Sequence, residues 1–282
     1  MIDIVTIVFR EELPILRVQA ESVDLYCQNI GLQTIYVVVN DDISIVKEID
    51  PAWWGSLSKY VKIIHRDYFN CKFVENGWVS QQVLKILCTT LSQNQYTMIL
   101  DAKTIVVQSL KLDRVFDSQK RQTWGYTLIK PVFKKAGEIV SRLFNIDLQN
   151  IAGPTGVPFF FHSDSVRSMI HKVTELTNQS FADWFQEQGM VTEFILYTGY
   201  IQYRDGTLDY TYSNNGQKCY RVCNICHSEV NNFDRKILEM DHPNMITMSI
   251  HRNCWNQLTN KQQLEYVMLL ESRGITQAKS LL

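Results

Sequence analysis

The sequence predicts an α/β fold with a mostly parallel sheet flanked by helices. Four short runs, rich in β-branched and other apolar residues, have the length of buried strands and cover residues 2–9, 34–41, 61–65 and 96–100. The segment after the first run and the segment before the last run carry apolar residues at helical spacing. Because strands that alternate with helices usually pair in parallel, this order predicts a Rossmann-type sheet.

Both predicted helices have local signals of their own. Pro14 is suited to a first helical turn, and Gly31 is placed to end the segment that follows it. In the stretch "GWVSQQVLKILCTTLS", Val79, Val83 and Ile86 recur on one helical face. These two segments therefore supply the helices that connect the predicted strands.

The later part of the chain is more mixed. We expect a strand over residues 123–129, a helix over 133–146, and an apolar helix over 191–201 with Thr192 as its cap. A further strand is expected over 244–251, and Thr259 with Gln262 fits a capping box at the start of a last helix. We predict an α/β domain at residues 1–204 and a C-terminal α+β appendage at residues 205–282, with a single continuous domain nearly as well supported.

Bulk composition excludes several classes of protein. The formal net charge is -1, so no overall field attracts the 282-residue chain to nucleic acid. No apolar run is long enough for a membrane span, and the first residues do not have the pattern of a signal peptide. The odd number of cysteines, seven, favours free thiols and hence a cytoplasmic location.

Polar residues follow several of the predicted strands. Arg10, Asp41, Arg66 and Asp101 each stand at or just after the end of one. Since parallel strands bind ligands at their carboxyl ends, these residues predict one polar ligand edge. Asp101 has two interpretations at this stage: a carboxylate that caps the next turn, or one that holds a cation or a ribose hydroxyl.

Four motifs in order resemble a branch of bacterial and viral enzymes with the glycosyltransferase-A fold. The resemblance runs over about residues 1–255, and its motif residues are Trp78, Gln81, Gln82 and Lys85; Leu100 and Asp101; Thr192, Glu193, Phe194, Leu196 and Tyr197; and Ile250, His251 and Arg252. It implies transfer of a sugar from a UDP- or GDP-sugar to a hydroxyl acceptor such as a glycan, a lipid or another small molecule. No nucleic-acid partner is implied.

The resemblance also implies a donor site. Thr6, Phe9 and Arg10 would line the nucleotide, while Lys85, Lys103 and Arg252 would contact the donor, with Arg252 facing phosphate. Mn²⁺ or Mg²⁺ would bind through Asp101 and His251.

Lys103 breaks the expected pattern, because it stands where such enzymes usually carry the second acid of an Asp-x-Asp pair. Two alternatives follow. Either Asp101 and His251 still hold a cation while Lys103 adds charge, or basic side chains replace the metal. A solvated turn lysine is the simplest third interpretation.

Glu193 and Asp101 are the candidate catalytic residues. The resemblance implies that Glu193 takes the proton of the acceptor hydroxyl or stabilises the oxocarbenium-like transition state. The simpler interpretation is an acid favoured in the first turn of a helix by the helix dipole.

A cluster of thiols gives a competing signal. Cys219, Cys223, Cys226 and His227 lie within nine residues, with Cys254 further along. Structural zinc sites use two short pairs separated by a longer loop, so the spacing favours buried thiols over zinc. Apart from a glycosyltransferase, the sequence is consistent with a nucleotide- or sugar-binding module that has the same fold and no activity.

Overall fold

A computed structural model describes residues 1–148, 151–213 and 220–282. The strands in this part of the chain are β1 (Ile2–Val8), β2 (Leu32–Val39), β3 (Val61–His65), β4 (Tyr96–Asp101), β5 (Ile105–Val106), β6 (Thr127–Leu128), β7 (Ile151–Ala152), β8 (Phe159–His162), β9 (Arg221–Ile225) and β10 (Met245–Ile250). The helices are α1 (Leu13–Tyr26), α2 (Gly77–Thr89), α3 (Leu112–Val115), α4 (Lys134–Phe144), α5 (Ser163–Thr177), α6 (Phe181–Gln188), α7 (Glu193–Asp205), α8 (Phe233–Met240), α9 (Arg252–Trp255) and α10 (Asn260–Ser272). Short 3₁₀ segments include Arg10–Glu12 and Thr276–Leu281.

The central sheet has the strand order β3-β2-β1-β4-β8. Strands β1 to β4 are parallel, whereas β8 runs antiparallel to β4. The chain proceeds outward from β1 to β3 and then returns to the other side of β1 with β4. The carboxyl ends of β1 and β4 therefore form a switch point, which is where open α/β sheets bind ligands. The predicted mostly parallel sheet is confirmed.

Alternate residues of β1 enter two separate cores. Val5 and Ile7 pack on one face with residues of α2, α5 and α7, while Ile4 and Val8 pack on the other with residues of α1. This alternation follows from the two-residue period of a strand, and it leaves the strand buried throughout.

The C-terminal residues share a third core with the first half of the chain. β10 pairs antiparallel with β5 and parallel with β9. Val18 of α1 and Ile105 of β5 belong to the same cluster as Phe233, Met248 and Leu270. This packing brings the residues after β10 alongside the turn that follows β4.

The strand predicted over residues 123–129 is much shorter. Gly125 has a positive φ of 67°, which interrupts the extended run, and Trp124 instead stacks on Phe160 at 5.8 Å between ring centroids. Within the described parts of the chain, the strand pairing of this segment is limited to Thr127–Leu128, which pairs with β7. In the described part of the chain, no helix combines the length and apolar character that crossing a membrane requires.

Candidate active site

The turn after β4 is held in place from the side of α1. Gln19 donates from Nε2 to the carbonyl oxygens of Asp101 at 2.6 Å and Thr104 at 3.0 Å. The Thr6 hydroxyl lies 2.8 Å from both Gln19 Oε1 and the Leu100 carbonyl oxygen. Thr6 is buried and its hydroxyl supports the turn. A contact of Thr6 with the nucleotide, which the resemblance implies, stays a prediction.

A continuous row of charges crosses this turn. Lys103 Nζ donates to Asp101 Oδ2 at 3.1 Å. On the other side of the carboxylate, Lys85 Nζ lies 2.7 Å from Asp101 Oδ1 as an ion pair that is out of line for a hydrogen bond. Lys85 Nζ also donates to Glu193 Oε1 at 2.9 Å. We call Lys103, Asp101, Lys85 and Glu193 the charge row.

The charge row runs from solvent into the core. The side chain of Lys103 is 27% exposed and that of Asp101 is 18% exposed. Lys85 is only 4% exposed, and Glu193 is completely buried. Gln82 lies one turn before Lys85 on α2, and its amide nitrogen, oriented toward Glu193, donates to Oε1 at 2.6 Å. Only Lys103 and Asp101 therefore have access to a ligand.

Burial and the neighbouring charges set the protonation of the row. Burial alone would raise the pKa of Asp101, but the ammonium groups of Lys103 and Lys85 outweigh it and lower that pKa. Burial would lower the pKa of Lys85, but Asp101 and Glu193 together raise it. Complete burial raises the pKa of Glu193, and Lys85 offsets this only in part. Lys85 and Asp101 are therefore firmly charged at neutral pH.

A cavity of about 290 Å³ lies beside the exposed end of the row. Lys103, Arg252, Trp255 and Tyr266 line it together with Glu12. The Tyr266 hydroxyl is buried and has no hydrogen-bond partner among residues 1–148, 151–213 and 220–282.

Burial raises the pKa of Glu12, although the nearby Lys103 ammonium opposes this. Glu12 Oε2 accepts a hydrogen bond from the Phe9 amide at 3.2 Å. The cavity thus offers both charged and apolar contacts.

The other predicted donor-site residues lie around this edge but have partners of their own. Arg252 forms an ion pair with Glu11 at the cavity. Arg10 pairs with Glu48 at 2.5 Å and donates to Ser44 Oγ at 2.9 Å. Phe9 lies against Gly77, at the start of α2, where an added Cβ would be 3.1 Å from its ring.

His251 serves as the cap of the short helix α9. Its Nδ1 accepts from the Asn253 amide at 3.1 Å. In the described residues, no group of three or more His, Cys, Asp or Glu side chains is arranged to hold a metal ion. Both oxygens of Asp101 are in contact with lysines instead. This donor set does not fit a divalent cation of the kind that the sequence resemblance implies.

The cysteine cluster is only partly described. Cys219 and the side chain of His227 lie outside the described residues. Cys223 and Cys254 are buried, while Cys226 is exposed. Burial raises the pKa of the Cys223 thiol to about 11, which keeps it protonated at neutral pH.

Sequence reasoning missed three contributors to this site. Gln19, Glu12 and Tyr266 each stand in a segment with no motif, and each reaches the site only through tertiary packing. The charged pairing of Lys85 with Glu193 was also not predicted, although both residues were named. The spacing of Gln82 and Lys85 on one helical face was the available signal.

Comparison with known proteins adds the following findings. Residues 7–245 match the model of a family described as a family of unknown function, DUF6492. No curated protein matches the chain significantly. The structure is similar to that of the galactosyltransferase LgtC in complex with donor and acceptor sugar analogues, with a TM-score of 0.52 and 12% identity over 96% of this chain and 95% of that one.

Two further structures give similar values. An active-site mutant of LgtC has a TM-score of 0.51 at 12% identity, over the same shares of both chains. The apo structure of the bifunctional glycosyltransferase WbbM has a TM-score of 0.48 at 12% identity, over 95% of this chain and 49% of that one. The similarity to LgtC confirms the predicted glycosyltransferase-A-like fold.

Proposed function

The chain belongs to DUF6492, a family of unknown function, and we propose that it is a glycosyltransferase that moves a sugar from a nucleotide-sugar donor to a hydroxyl acceptor. The observation that carries the proposal is the position of Lys103 and Asp101. They are the solvent-accessible end of a buried charge row, at the switch point of the sheet and beside a cavity. That is where an α/β sheet binds its ligand.

The chemistry of the transfer requires stabilisation of a leaving anion. The acceptor oxygen bonds to the anomeric carbon while the bond from that carbon to the donor phosphate breaks, and the electron pair leaves with the nucleoside diphosphate. The proton of the acceptor hydroxyl passes to the departing diphosphate oxygen or to water. Fixed positive charge near the leaving oxygen stabilises this transition state more than the ground state, because negative charge grows there. Lys103 supplies such a charge at the cavity.

We assign Glu193 a positioning role in this reaction. Its carboxylate is completely buried and contacts Lys85 and Gln82, so it has no surface for an acceptor. It holds the Lys85 ammonium against Asp101, which in turn fixes Lys103. Its effect on transfer is therefore exerted through two other side chains.

A panel of UDP- and GDP-sugars tests the proposal, with release of nucleoside diphosphate as the readout. We expect slow hydrolysis with at least one donor and faster release when a suitable sugar acceptor is added. Asp101→Asn should abolish both, since the amide cannot hold two ammonium groups. Asp113→Asn, at an exposed position of α3, is the matched control and should leave release unchanged.

The occupancy of Asp101 by two lysines favours a second candidate, a nucleotide-binding module without activity. Binding of a nucleotide sugar with no turnover, across a broad panel of acceptors, would support that candidate over the enzyme.

A further inference from the structure

Each oxygen of Asp101 is in contact with a different ammonium group, Oδ1 with Lys85 at 2.7 Å and Oδ2 with Lys103 at 3.1 Å. A divalent cation would need at least one of these oxygens, and it would then lie next to a protonated lysine. Protonated lysine has no lone pair to offer a metal, and it repels one. Asp101 is therefore better suited to fix lysines than to ligate a metal.

Lys85 cannot easily move away to make room. Its side chain is 4% exposed, and its second partner, Glu193, is completely buried and bound by Gln82. Two carboxylates face two ammonium groups in the charge row, so the row is formally neutral without any metal. A dication added there would leave uncompensated positive charge in a mostly buried site, which is costly.

The accessible end of the row offers what a diphosphate needs. The Lys103 ammonium is partly exposed and lines the cavity, together with Arg252 and Tyr266. Tyr266 contributes to the wall of the cavity, but its hydroxyl is buried and inaccessible to a ligand. Arg252 would exchange its pairing with Glu11 for a phosphate oxygen.

We propose that this protein holds the diphosphate of its donor with the fixed charge of Lys103, braced by Asp101 and Lys85, in place of a divalent cation. The inference rests on the proposed function and specifies how the same site binds its substrate. Arg252, which lines the same cavity, completes the diphosphate contacts in this arrangement.

Calorimetric titration with UDP and GDP, in EDTA and again in Mn²⁺, tests the inference. We expect binding in EDTA, with a dissociation constant that Mn²⁺ changes by no more than about twofold. Lys103→Met should weaken binding in EDTA by about tenfold or more, because a charge-assisted contact is lost. Lys59→Met is the matched control. Lys59 precedes β3 and so lies at the amino end of that strand, whereas Lys103 follows the carboxyl end of β4.

Lys103→Asp gives the sharper result, because it places a second carboxylate two residues after Asp101. We expect this variant to lose nucleotide binding in EDTA. Addition of Mn²⁺ should restore binding and lower the dissociation constant by about tenfold or more. Thermal unfolding of each variant verifies that it is folded.

The two proposals fail in different ways. Binding of the wild-type protein only in the presence of Mn²⁺ would overturn the lysine inference and leave the glycosyltransferase proposal in place. Unchanged binding by Lys103→Met would also overturn the inference. If neither nucleotide binds in either condition, the donor site itself is wrong and both proposals fall.

Discussion

Lys85 and Glu193, which are 108 residues apart in sequence, form a buried ion pair at 2.9 Å between Nζ and Oε1. Lys85 is shared with Asp101, so one ammonium group compensates two carboxylates inside the fold. The pair joins α2 to the start of α7 directly behind the proposed donor site. Such a network stabilises the fold only while all of its members are present.

Removing Lys85 should therefore destabilise the protein severely. Lys85→Met leaves the buried Glu193 carboxylate without a cation and Asp101 with Lys103 alone, and we expect a loss of about 3–5 kcal/mol in the free energy of unfolding by urea. Glu193→Gln leaves Lys85 paired with Asp101 and should cost less, about 1–2 kcal/mol. The double variant should be less destabilised than the sum of the two. Lys261→Met is the control, since the ion pair of Lys261 with Glu265 is exposed. If the losses of the two single variants at Lys85 and Glu193 simply add in the double variant, the buried pair is not coupled.

Glu12 should make stability depend on pH. Burial raises the pKa of Glu12 in the folded protein above the ordinary value of 4.5. Between these two pKa values, the folded state therefore retains a proton that the unfolded chain has lost. The contribution of protonated Glu12 to stability is complete below about pH 4.5, and it is lost as pH rises through the pKa of Glu12 in the folded protein. Glu12→Gln keeps an acceptor for the Phe9 amide but removes the titration. We expect the variant to gain stability relative to wild type as pH rises from 5 to 8.

Urea unfolding at several pH values measures this difference. Above pH 5 the titration of Asp101 does not affect the comparison. Its pKa is lowered in the folded protein, so the stability that it contributes is lost only as pH falls below the ordinary pKa of an aspartate. A difference between variant and wild type that stays constant from pH 5 to 8 would show that burial does not raise the pKa of Glu12.

The fold could be predicted from sequence because its signals are local. Strand β3 coincides with the predicted run at residues 61–65, and Thr192 and Thr259 cap the helices that were expected to begin there. Asp101 was identified for the same reason, since an acid that ends a buried strand is visible without tertiary information.

The arrangement of the site could not be predicted in this way. Glu193 occupies an ordinary first-turn position, and nothing local indicates that its carboxylate points at Lys85 of another helix. Tyr266 and Gln19 are equally unremarkable in sequence, and long-range packing alone brings them to the turn after β4. The hydrogen bond from the Thr6 hydroxyl to the Leu100 carbonyl oxygen likewise depends on strand pairing that the local sequence does not show.

The contact between α4 and α7 should be intolerant of a single added methyl group. A Cβ at Gly199 would overlap Val140 Cγ1, so the helices approach closely because Gly199 lacks a side chain. Alanine favours a helix over glycine by about 1 kcal/mol, but overpacking costs about 1–3 kcal/mol. We expect Gly199→Ala to lower thermal stability, and Val140→Ala to restore part of it in the double variant. A stabilised single variant would contradict this packing.

Cysteine reactivity should separate the exposed thiol from the buried ones. Cys226 is exposed, whereas Cys27, Cys88, Cys223 and Cys254 are buried. Burial raises the pKa of Cys27 to about 12, which suppresses the reactive thiolate as well as access to it. In the native protein, a thiol reagent such as DTNB reaches Cys226 and should modify it faster than the four buried thiols, although partial burial and Glu229 raise the pKa of Cys226 too. Cys226→Ser should therefore remove one of the faster-reacting groups. Cys88→Ser is the control and should leave the rapid phase unchanged. A rapid phase whose amplitude Cys226→Ser leaves unchanged, or which Cys88→Ser reduces, would contradict the placement of Cys226 at the surface.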